Sequence, residues 1–396
     1  MISKRYKDML KGKSVIRQMS EFAVKRGNEI GYENVFDFSL GNPSVETPKR
    51  FTDTCIDMLE NCEPGKLHGY SQSQGIPAVR AKVADSLNRR FGMAYTAEHI
   101  FMTAGAAGAV AHALRCVTQP GDEVITFAPY FPEYDPYVNM TGDELKIVPA
   151  DTETFQIDFE EFDKMLTPKV TAVLINSPNN PSGVVYSTET IKKMADLMNR
   201  KQAAFGHDIF LISDEPYREI VFDGTDSPYV TKYYDNSISC YSFSKSLSVP
   251  GERIGYLAVN PNCTDALLIS QICAQISRGI GHNCPASLMQ LAVSETLDMT
   301  ADLSVYEDNM NILYKGLGDL GFQMVKPGGT FYMFPKAMED DAVRFCEKAK
   351  QYDLILVPGD SFGCSGYFRI AYCIGSEKVV RSLAAFEKFV DTEYRK

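Results

Sequence analysis

SCYSFSKSLSVPGERIGY, at residues 239–256, places one lysine between small hydroxyl side chains and an arginine. Its first five residues alternate and include aromatic types, which predicts a buried strand with Ser242, Ser244 and Lys245 at or just beyond its carboxyl end. Ligands of α/β proteins bind at such strand ends. A lysine amine condenses with aldehydes, and hydroxyl groups together with the Arg253 guanidinium can hold a phosphate. The stretch therefore fits pyridoxal phosphate, while a solvated lysine in a serine-rich loop stays open from these residues alone.

The composition is that of an ordinary globular protein. With 396 residues the chain is long for a single core, so two domains are expected. The net charge of -11 is dispersed along the chain, which argues against a nucleic-acid-binding surface. No apolar run reaches the ~18 residues that a membrane helix needs, and residues 1–20 contain no signal-peptide core. We expect a cytoplasmic protein with neither a nucleic-acid nor a membrane partner.

Cysteine and histidine indicate neither disulfides nor a metal centre. The ten cysteines are scattered from Cys55 to Cys373 without a C-x-x-C, so reduced thiols are expected. The five histidines form no local ligand pair, and no metal site is predicted.

Alternating strand and helix patterns predict an α/β fold. Residues 1–31 predict an arm and a short helix. Strand-like runs lie at Ile100–Thr103, Glu123–Phe127, Leu145–Val148, Thr171–Asn176, Ile209–Asp214, Ser237–Phe243 and Ile254–Val259, with helical patterns between them, notably Ala106–Thr118 and Thr188–Phe205. This alternation is typical of parallel βαβ units, so we predict a doubly wound, mostly parallel sheet. After about Pro285, one long amphipathic helix to about Leu317 and a glycine-rich strand pair around residues 328–332 indicate a smaller α/β domain.

Small or aromatic residues follow two of the predicted strands. The turn at residues 103–108, TAGAAG, enters a helix, whose free N–H groups and positive dipole end suit an anion. Such small residues can equally serve close helix packing. Phe131 follows another strand and could stack on a flat ring, or could belong to the core.

Polar residues follow or interrupt four other strands. Asn180 lies in the polar run NSPNNPSG at 176–183, which has little structural reason to be so polar after a strand. Asp214 follows an apolar strand, where a charge needs a partner, although D-E-P-Y can also be a simple turn. Arg369 lies in the apolar run YFRIAY, where a buried guanidinium requires a carboxylate and an exposed one requires only water. Gly41 begins a G-N-P turn and offers a bare N–H.

In their order along the chain, these stretches resemble the motifs of the class I aminotransferases of the aspartate aminotransferase fold. The matches include S-x-S-K followed by G-x-R-x-G around Lys245, and N-x-x-N-P-[ST]-G at 176–183. The resemblance implies a fold type I pyridoxal phosphate enzyme, with a large domain whose mostly parallel seven-stranded sheet is sandwiched by helices, and a smaller α/β domain. It places an N-terminal arm and part of the small domain at 1–45, the large cofactor-binding domain at 46–285 and the small C-terminal domain at 286–396.

The resemblance also implies a role for each residue of the site. Lys245 would hold the cofactor and move the substrate's α-proton, and Asp214 would pair with the ring nitrogen. The remaining cofactor contacts would be Phe131 stacked on the ring, Asn180 and Tyr217 on the phenolic oxygen, and Gly105, Ala106, Ala107, Ser242, Ser244, Arg253 and the partner subunit's Tyr70 on the phosphate. Arg369 and Asn180 would bind the substrate carboxylate beneath the Gly41 turn. The implied assembly is a homodimer with its sites at the interface, with cis bonds at Ala128–Pro129 and Asn180–Pro181.

The implied reaction is transamination between an amino acid and a 2-oxo acid. Arg278 stands five residues before Asn283, the spacing at which dicarboxylate-specific members place an arginine for the distal carboxylate, again from the partner subunit. That favours aspartate or a related donor with 2-oxoglutarate as acceptor. If Arg278 serves only as a cation near the negative end of a helix dipole, a neutral or aromatic donor is expected. A carbon–sulfur β-lyase on the same fold and a non-catalytic regulator are also compatible with these motifs, although the sequence shows no basic N-terminal segment that would serve a regulator.

Overall fold

A computed structural model describes residues 2, 7 and 14–395 of the chain. The arm predicted before the first helix lies, apart from residues 2 and 7, outside the described residues. The strands are β1 (Phe36–Asp37), β2 (Ile100–Thr103), β3 (Glu123–Phe127), β4 (Glu144–Val148), β5 (Val170–Asn176), β6 (Phe210–Asp214), β7 (Ser237–Ser242), β8 (Gly255–Val259), β9 (Tyr332–Met333), β10 (Leu354–Ile355), β11 (Val357–Pro358) and β12 (Phe368–Ala371).

The helices alternate with the strands through most of the chain. They are α1 (Val15–Ile30), α2 (Lys49–Asn61), α3 (Pro64–His68), α4 (Pro77–Phe91), α5 (Gly105–Val117), α6 (Tyr134–Thr141), α7 (Phe159–Met165), α8 (Thr188–Phe205), α9 (Phe243–Ser246), α10 (Ala266–Gly279), α11 (Ser287–Ser294), α12 (Ser304–Asp319), α13 (Ala342–Ala349) and α14 (Ser376–Glu393). Local signals set several ends: the Ser187 hydroxyl accepts from the Thr190 amide at the start of α8, and Gly206 ends it with a φ of 75°.

The large domain is built on a seven-stranded sheet in the order β2-β8-β7-β6-β5-β3-β4. Its pairs are parallel except those of β8, which runs antiparallel to both neighbours. Successive residues of β5 enter opposite cores: Leu174 packs under α5 and α10, whereas Val173 and Ile175 pack under α7 and α8. Because both faces are covered by helices, most of these strands are largely apolar, which makes them recognisable in the sequence; the serine-containing β7 and the partly exposed edge strand β4 are exceptions. The predicted doubly wound sheet sandwiched by helices is confirmed.

The single long helix predicted after Pro285 is wrong. Two helices, α11 and α12, stand there instead, and tertiary contacts hold the segment between them out of helical geometry. The Asp298 carboxylate accepts hydrogen bonds from Ser86 Oγ at 2.5 Å and from Arg89 at 2.6 Å, and the Ala301 amide donates to the Ser246 carbonyl. The predicted glycine-rich strand pair is also shorter than expected: only Tyr332–Met333 forms a strand, with an isolated bridge from Gly329 to Val221.

The small domain combines both ends of the chain. β12 pairs with β11 and β9, and β1 pairs with β10, so Phe36–Asp37 joins the C-terminal part. Helix α11, by contrast, contributes Ala292 and Val293 to a core of the large domain. The division at 285/286 stays a prediction, and this packing favours a boundary after α11.

Helix α1 is attached to the small domain. Its buried residues Met19 and Ala23 share a core with Val357, the strand neighbour of Arg369. An ion pair from Arg26 Nε to Asp353 at 2.7 Å lies on the same side of the helix. The first turn of α1 therefore has a fixed position relative to the strand that carries Arg369.

Candidate active site

The carboxyl ends of β5, β6 and β7 and the start of α5 surround a cavity of about 550 Å³. Parallel strands place the residues after them along one edge of the sheet, so positions far apart in the chain meet there. Twelve of the residues predicted for the site line this cavity: Gly41, Ala106, Ala107, Phe131, Asn180, Asp214, Tyr217, Ser242, Ser244, Lys245, Arg253 and Arg369. Gly105 lies directly behind them, where a Cβ would come within 2.8 Å of Arg253 Nη2. The structure thus brings together nearly the whole predicted set.

Lys245 lies in the single turn α9, immediately after β7. Its Nζ donates a hydrogen bond to the Gly41 carbonyl at 2.6 Å. Burial lowers the pKa of the amine to about 8; nearby Cys373 opposes this shift, and the positive charges of Arg253 and Arg369 add to it. A substantial fraction of the amine is therefore neutral near pH 8, as a nucleophile or proton acceptor requires.

Small hydroxyl groups and an arginine adjoin the N-terminus of α5. Ser242 Oγ donates to Ser244 Oγ at 2.7 Å, and Arg253 reaches both Ser244 Oγ, at 3.5 Å, and the Ala104 carbonyl, at 3.2 Å. Gly105 has a φ of 76° there, a conformation that glycine adopts without strain. These donors, together with the free amides of the first helical turn, suit a phosphate group.

Asp214 is buried at the end of β6. Its Oδ2 accepts a hydrogen bond from the Tyr134 hydroxyl at 2.7 Å, whereas Oδ1 has no partner among the described residues. Burial raises the pKa of the carboxyl to about 7, with Glu215 adding to the shift and Tyr134 opposing it. A buried carboxylate with one unpaired oxygen is suited to a cationic donor such as a protonated ring nitrogen.

A chain of hydrogen bonds connects Asp214 to Arg369 through two asparagines. Asn176 Nδ2 donates to the Asp214 carbonyl at 2.8 Å, and Asn176 Oδ1 accepts from the Asn180 amide at 2.7 Å. Arg369 Nη1 in turn donates to Asn180 Oδ1 at 3.0 Å, and its Nη2 donates to the Ser39 carbonyl. The residues that would contact a ring nitrogen and a substrate carboxylate therefore belong to one network.

Arg369 is 1% exposed, and burial lowers the pKa of its guanidinium. Its Nε has no partner among residues 14–395. The guanidinium lies over the Tyr332 ring at 4.7 Å, and the Tyr332 hydroxyl is 3.1 Å from that of Tyr217. A buried guanidinium with an unused donor is suited to a carboxylate, which it binds through two parallel hydrogen bonds.

Several residues at the cavity were not predicted from the sequence: Arg17, Ser20, Tyr134, Tyr137 and Tyr332. Tyr134 and Tyr332 each act through a partner about 80 or more positions away in the chain. No local pattern signals such a contact.

Two predicted residues lie outside the cavity. Tyr70 is fully exposed, at 105% of its reference area, and Arg278 is exposed with a hydrogen bond from Nη1 to Gln275 Oε1. Both were expected to act on a partner subunit, and these roles stay predictions. Both X–Pro bonds expected to be cis are cis, as is Ser177–Pro178.

The described residues contain neither a metal-binding cluster nor a membrane-spanning helix. Within this part of the chain, no three histidine, cysteine or acidic side chains form a group that could hold a metal ion. No described helix is both long and apolar enough to cross a bilayer. All ten cysteines, which lie within residues 14–395, are free thiols.

Known proteins resemble this chain over nearly its whole length. A sequence model of the family described as aminotransferase class I and II matches residues 33–386. An aspartate aminotransferase from Thermotoga maritima is 28% identical, over 99% of this chain and 100% of its own length. An aminotransferase of Eubacterium rectale superposes with a TM-score of 0.96 at 45% identity, covering 100% of both chains. The aspartate aminotransferase of Thermus thermophilus with maleate superposes with a TM-score of 0.87 at 25% identity, covering 98% of this chain and 99% of its own. Because its sequence and its fold both match, this chain belongs to the class I and II aminotransferases and is a transaminase of the aspartate aminotransferase fold.

Proposed function

We propose that this aminotransferase binds pyridoxal 5′-phosphate and moves an amino group from aspartate or a related L-amino acid to 2-oxoglutarate. The observation that carries the proposal is that Lys245, Arg369 and Asp214, whose Oδ1 has no partner among the described residues, line one cavity. An amine of lowered pKa, a carboxylate for a cationic ring and a guanidinium for a carboxylate are the groups that such a reaction requires.

The residues present fit the cofactor. Asp214 Oδ1 would accept a hydrogen bond from the ring nitrogen, and the Phe131 side chain lines the cavity as a stacking partner. Asn180 and Tyr217 would bond to the phenolic oxygen. The phosphate would lie against the α5 N-terminus, at Gly105, Ala106 and Ala107, and against Ser242, Ser244 and Arg253. When bound, this cofactor supplies an aldehyde and a ring that stabilises negative charge on the substrate α-carbon.

The protein's own groups would orient the substrate and move its proton. Arg369 would bind the α-carboxylate, helped by Asn180, whose Oδ1 already accepts from Nη1. Lys245 Nζ would take the α-proton and return it, and its pKa of about 8 suits both directions near neutral pH. The Gly41 carbonyl, which accepts from Nζ at 2.6 Å, would keep the amine facing the cavity.

The choice of aspartate and 2-oxoglutarate is supported by the relatives. The Thermotoga maritima relative is named an aspartate aminotransferase, and the Thermus thermophilus structure contains maleate, which is a dicarboxylate. A second candidate, a neutral or aromatic donor, is favoured by the apolar residues Ile16 and Leu40 on the cavity wall. A relative from Thermococcus litoralis, 29% identical, is named an aromatic-amino-acid aminotransferase.

A homodimer with active sites at the interface is also part of the proposal. Tyr70 is an aromatic side chain that is entirely exposed in the single chain, and Ile280, close to Arg278, is 48% exposed. A partner subunit would cover such residues. Residence in the cytoplasm stays a prediction.

The test is to incubate the purified enzyme with the cofactor, 2-oxoglutarate as acceptor and one amino acid at a time, and to identify the products by mass spectrometry. We expect 2-oxo acids and their paired amino acids, and borohydride reduction should attach the cofactor to the Lys245 peptide. Lys245→Ala should lose both signals. Pyruvate and ammonia from a cysteine-type substrate would indicate the β-lyase instead, and a Lys245→Ala variant within about tenfold of the wild-type rate would contradict the assignment.

A further inference from the structure

An arginine outside the predicted set lines the mouth of the cavity. Arg17, in the first turn of α1, is exposed and forms no hydrogen bond or ion pair with any described residue. A lone cation is ordinary on a surface, but this one faces the cavity that contains Lys245 and Arg369. Its position at the cavity therefore suggests a role toward the molecule bound there, beyond a contribution to solubility.

The packing of α1 fixes where Arg17 lies. Met19 and Ala23, four residues apart, form the buried face of the helix. Ile16 packs at the edge of this face, and Arg17 and Ser20 lie beyond it; all three border the cavity. Since the buried face is attached to the core around Val357, the helix holds Arg17 over the cavity.

The other cations of the cavity have different partners. Lys245 and Arg369 would contact the reacting end of the substrate, and Arg253 the phosphate. The acidic residue Glu133 also lines the cavity; burial chiefly, then Asp214 and Glu133, raise the pKa of Tyr137, and Arg253 opposes this shift. Arg17 is thus the remaining positive charge that a substrate side chain could meet within residues 14–395.

We propose that Arg17 binds the distal carboxylate of a dicarboxylic substrate, within the same subunit that supplies Lys245 and Arg369. This inference rests on the proposed transamination and identifies its substrate class. The distal carboxylate would then contact a residue of helix α1. The family resemblance had instead implied Arg278 of the partner subunit. Arg17 is accordingly a specificity-determining residue, and Lys245 remains the residue that moves the proton.

The first experiment compares Arg17→Met with Lys25→Met. Lys25 is an exposed cation of the same helix that does not line the cavity, so its variant removes the same charge elsewhere. We expect Arg17→Met to lower kcat/KM for aspartate and glutamate by about 30-fold or more and to change alanine and phenylalanine by less than about threefold. Arg17→Lys should recover most of the loss, and Lys25→Met should resemble the wild type.

Hybrid dimers then show which subunit supplies the arginine. In a hybrid of Lys245→Ala with Arg278→Ala chains, the working lysine faces the partner's intact Arg278, so aspartate turnover would recover if Arg278 acted across the interface. In a hybrid of Lys245→Ala with Arg17→Met chains, the working lysine and the altered Arg17 share one chain. We expect aspartate turnover to stay low in this second hybrid. Recovery there would overturn the assignment to the same subunit.

The outcomes separate this inference from the function it rests on. If the wild type transaminates no amino acid, the proposed function fails. If it transaminates but Arg17→Met affects all donors equally, or none, then transamination stands and the role of Arg17 is wrong. A thermal unfolding midpoint equal to that of Lys25→Met would show that the Arg17 variant is folded.

Discussion

At the scale of single residues, the site depends on groups whose ionisation is altered by burial. Lys245 has a pKa of about 8 instead of the 10.5 of a free lysine, because its ammonium form is poorly solvated. We expect capture of pyridoxal phosphate by the cofactor-stripped protein, followed by borohydride trapping at Lys245, to rise with pH and level off above about pH 8. A rate that continued to rise towards pH 10 would contradict the shift.

The same shift has a consequence for stability. Between about pH 8 and 10.5 the unfolded chain holds a proton at Lys245 that the folded protein has lost. The free energy of unfolding of the stripped protein should therefore rise with pH across this window, and Lys245→Ala should remove that contribution. Denaturant titrations of the two proteins at a series of pH values measure the difference.

Most of the residues predicted from the sequence follow a buried strand. Lys245, Asp214 and Asn180 stand out there because burying a polar group beside an apolar strand costs free energy unless the group has a partner. Tyr332 and Arg17 carry no such signal. Tyr332 enters the site through its contacts with Tyr217 and Arg369, and Arg17 through the packing of a helix, so both depend on the tertiary structure.

At the scale of elements, the strands of the large sheet were predictable almost to the residue, and the small-domain elements only in part. β2 and β3 have the predicted bounds, and the other strands of the large sheet differ by one residue, because helices on both faces make most of these strands largely apolar. Strands of two residues, such as β10 and β11, have no periodicity that a sequence could show. The break between α11 and α12 is likewise set by contacts to Ser86 and Arg89, which are distant in sequence.

Helix α1 provides a prediction at this scale. Met19 is buried in the core that holds the helix to the small domain, whereas Val24 on the same helix is 54% exposed. Met19→Ala should lower the free energy of unfolding by about 2–3 kcal/mol and weaken the preference for aspartate over alanine, because the helix would no longer hold Arg17 in place. Val24→Ala is the matched control and should change neither quantity measurably. Chemical denaturation and paired kcat/KM values supply the readouts, and an unchanged preference in a destabilised Met19→Ala protein would contradict this role of the helix.

At the scale of the whole molecule, the proposed homodimer predicts complementation. Lys245→Ala chains keep Tyr70, and Tyr70→Phe chains keep Lys245, so one site of each hybrid would combine both native residues. We expect mixed subunits to recover activity at that site, while each variant alone stays impaired. An active monomer in sedimentation, or mixtures no more active than the sum of their parts, would rule the shared site out.

The attachment of α1 to the strand that carries Arg369 has a further consequence, for the length of the substrate. Val357 pairs with Arg369 in the small sheet and shares a core with Met19 and Ala23, so the elements that carry Arg17 and Arg369 are attached to the same core. If both bind carboxylates, this shared core sets the distance between them. The enzyme would then limit the number of methylene groups between the two carboxylates, so kcat/KM should be similar for aspartate and for glutamate, which corresponds to 2-oxoglutarate, and should fall sharply at 2-aminoadipate.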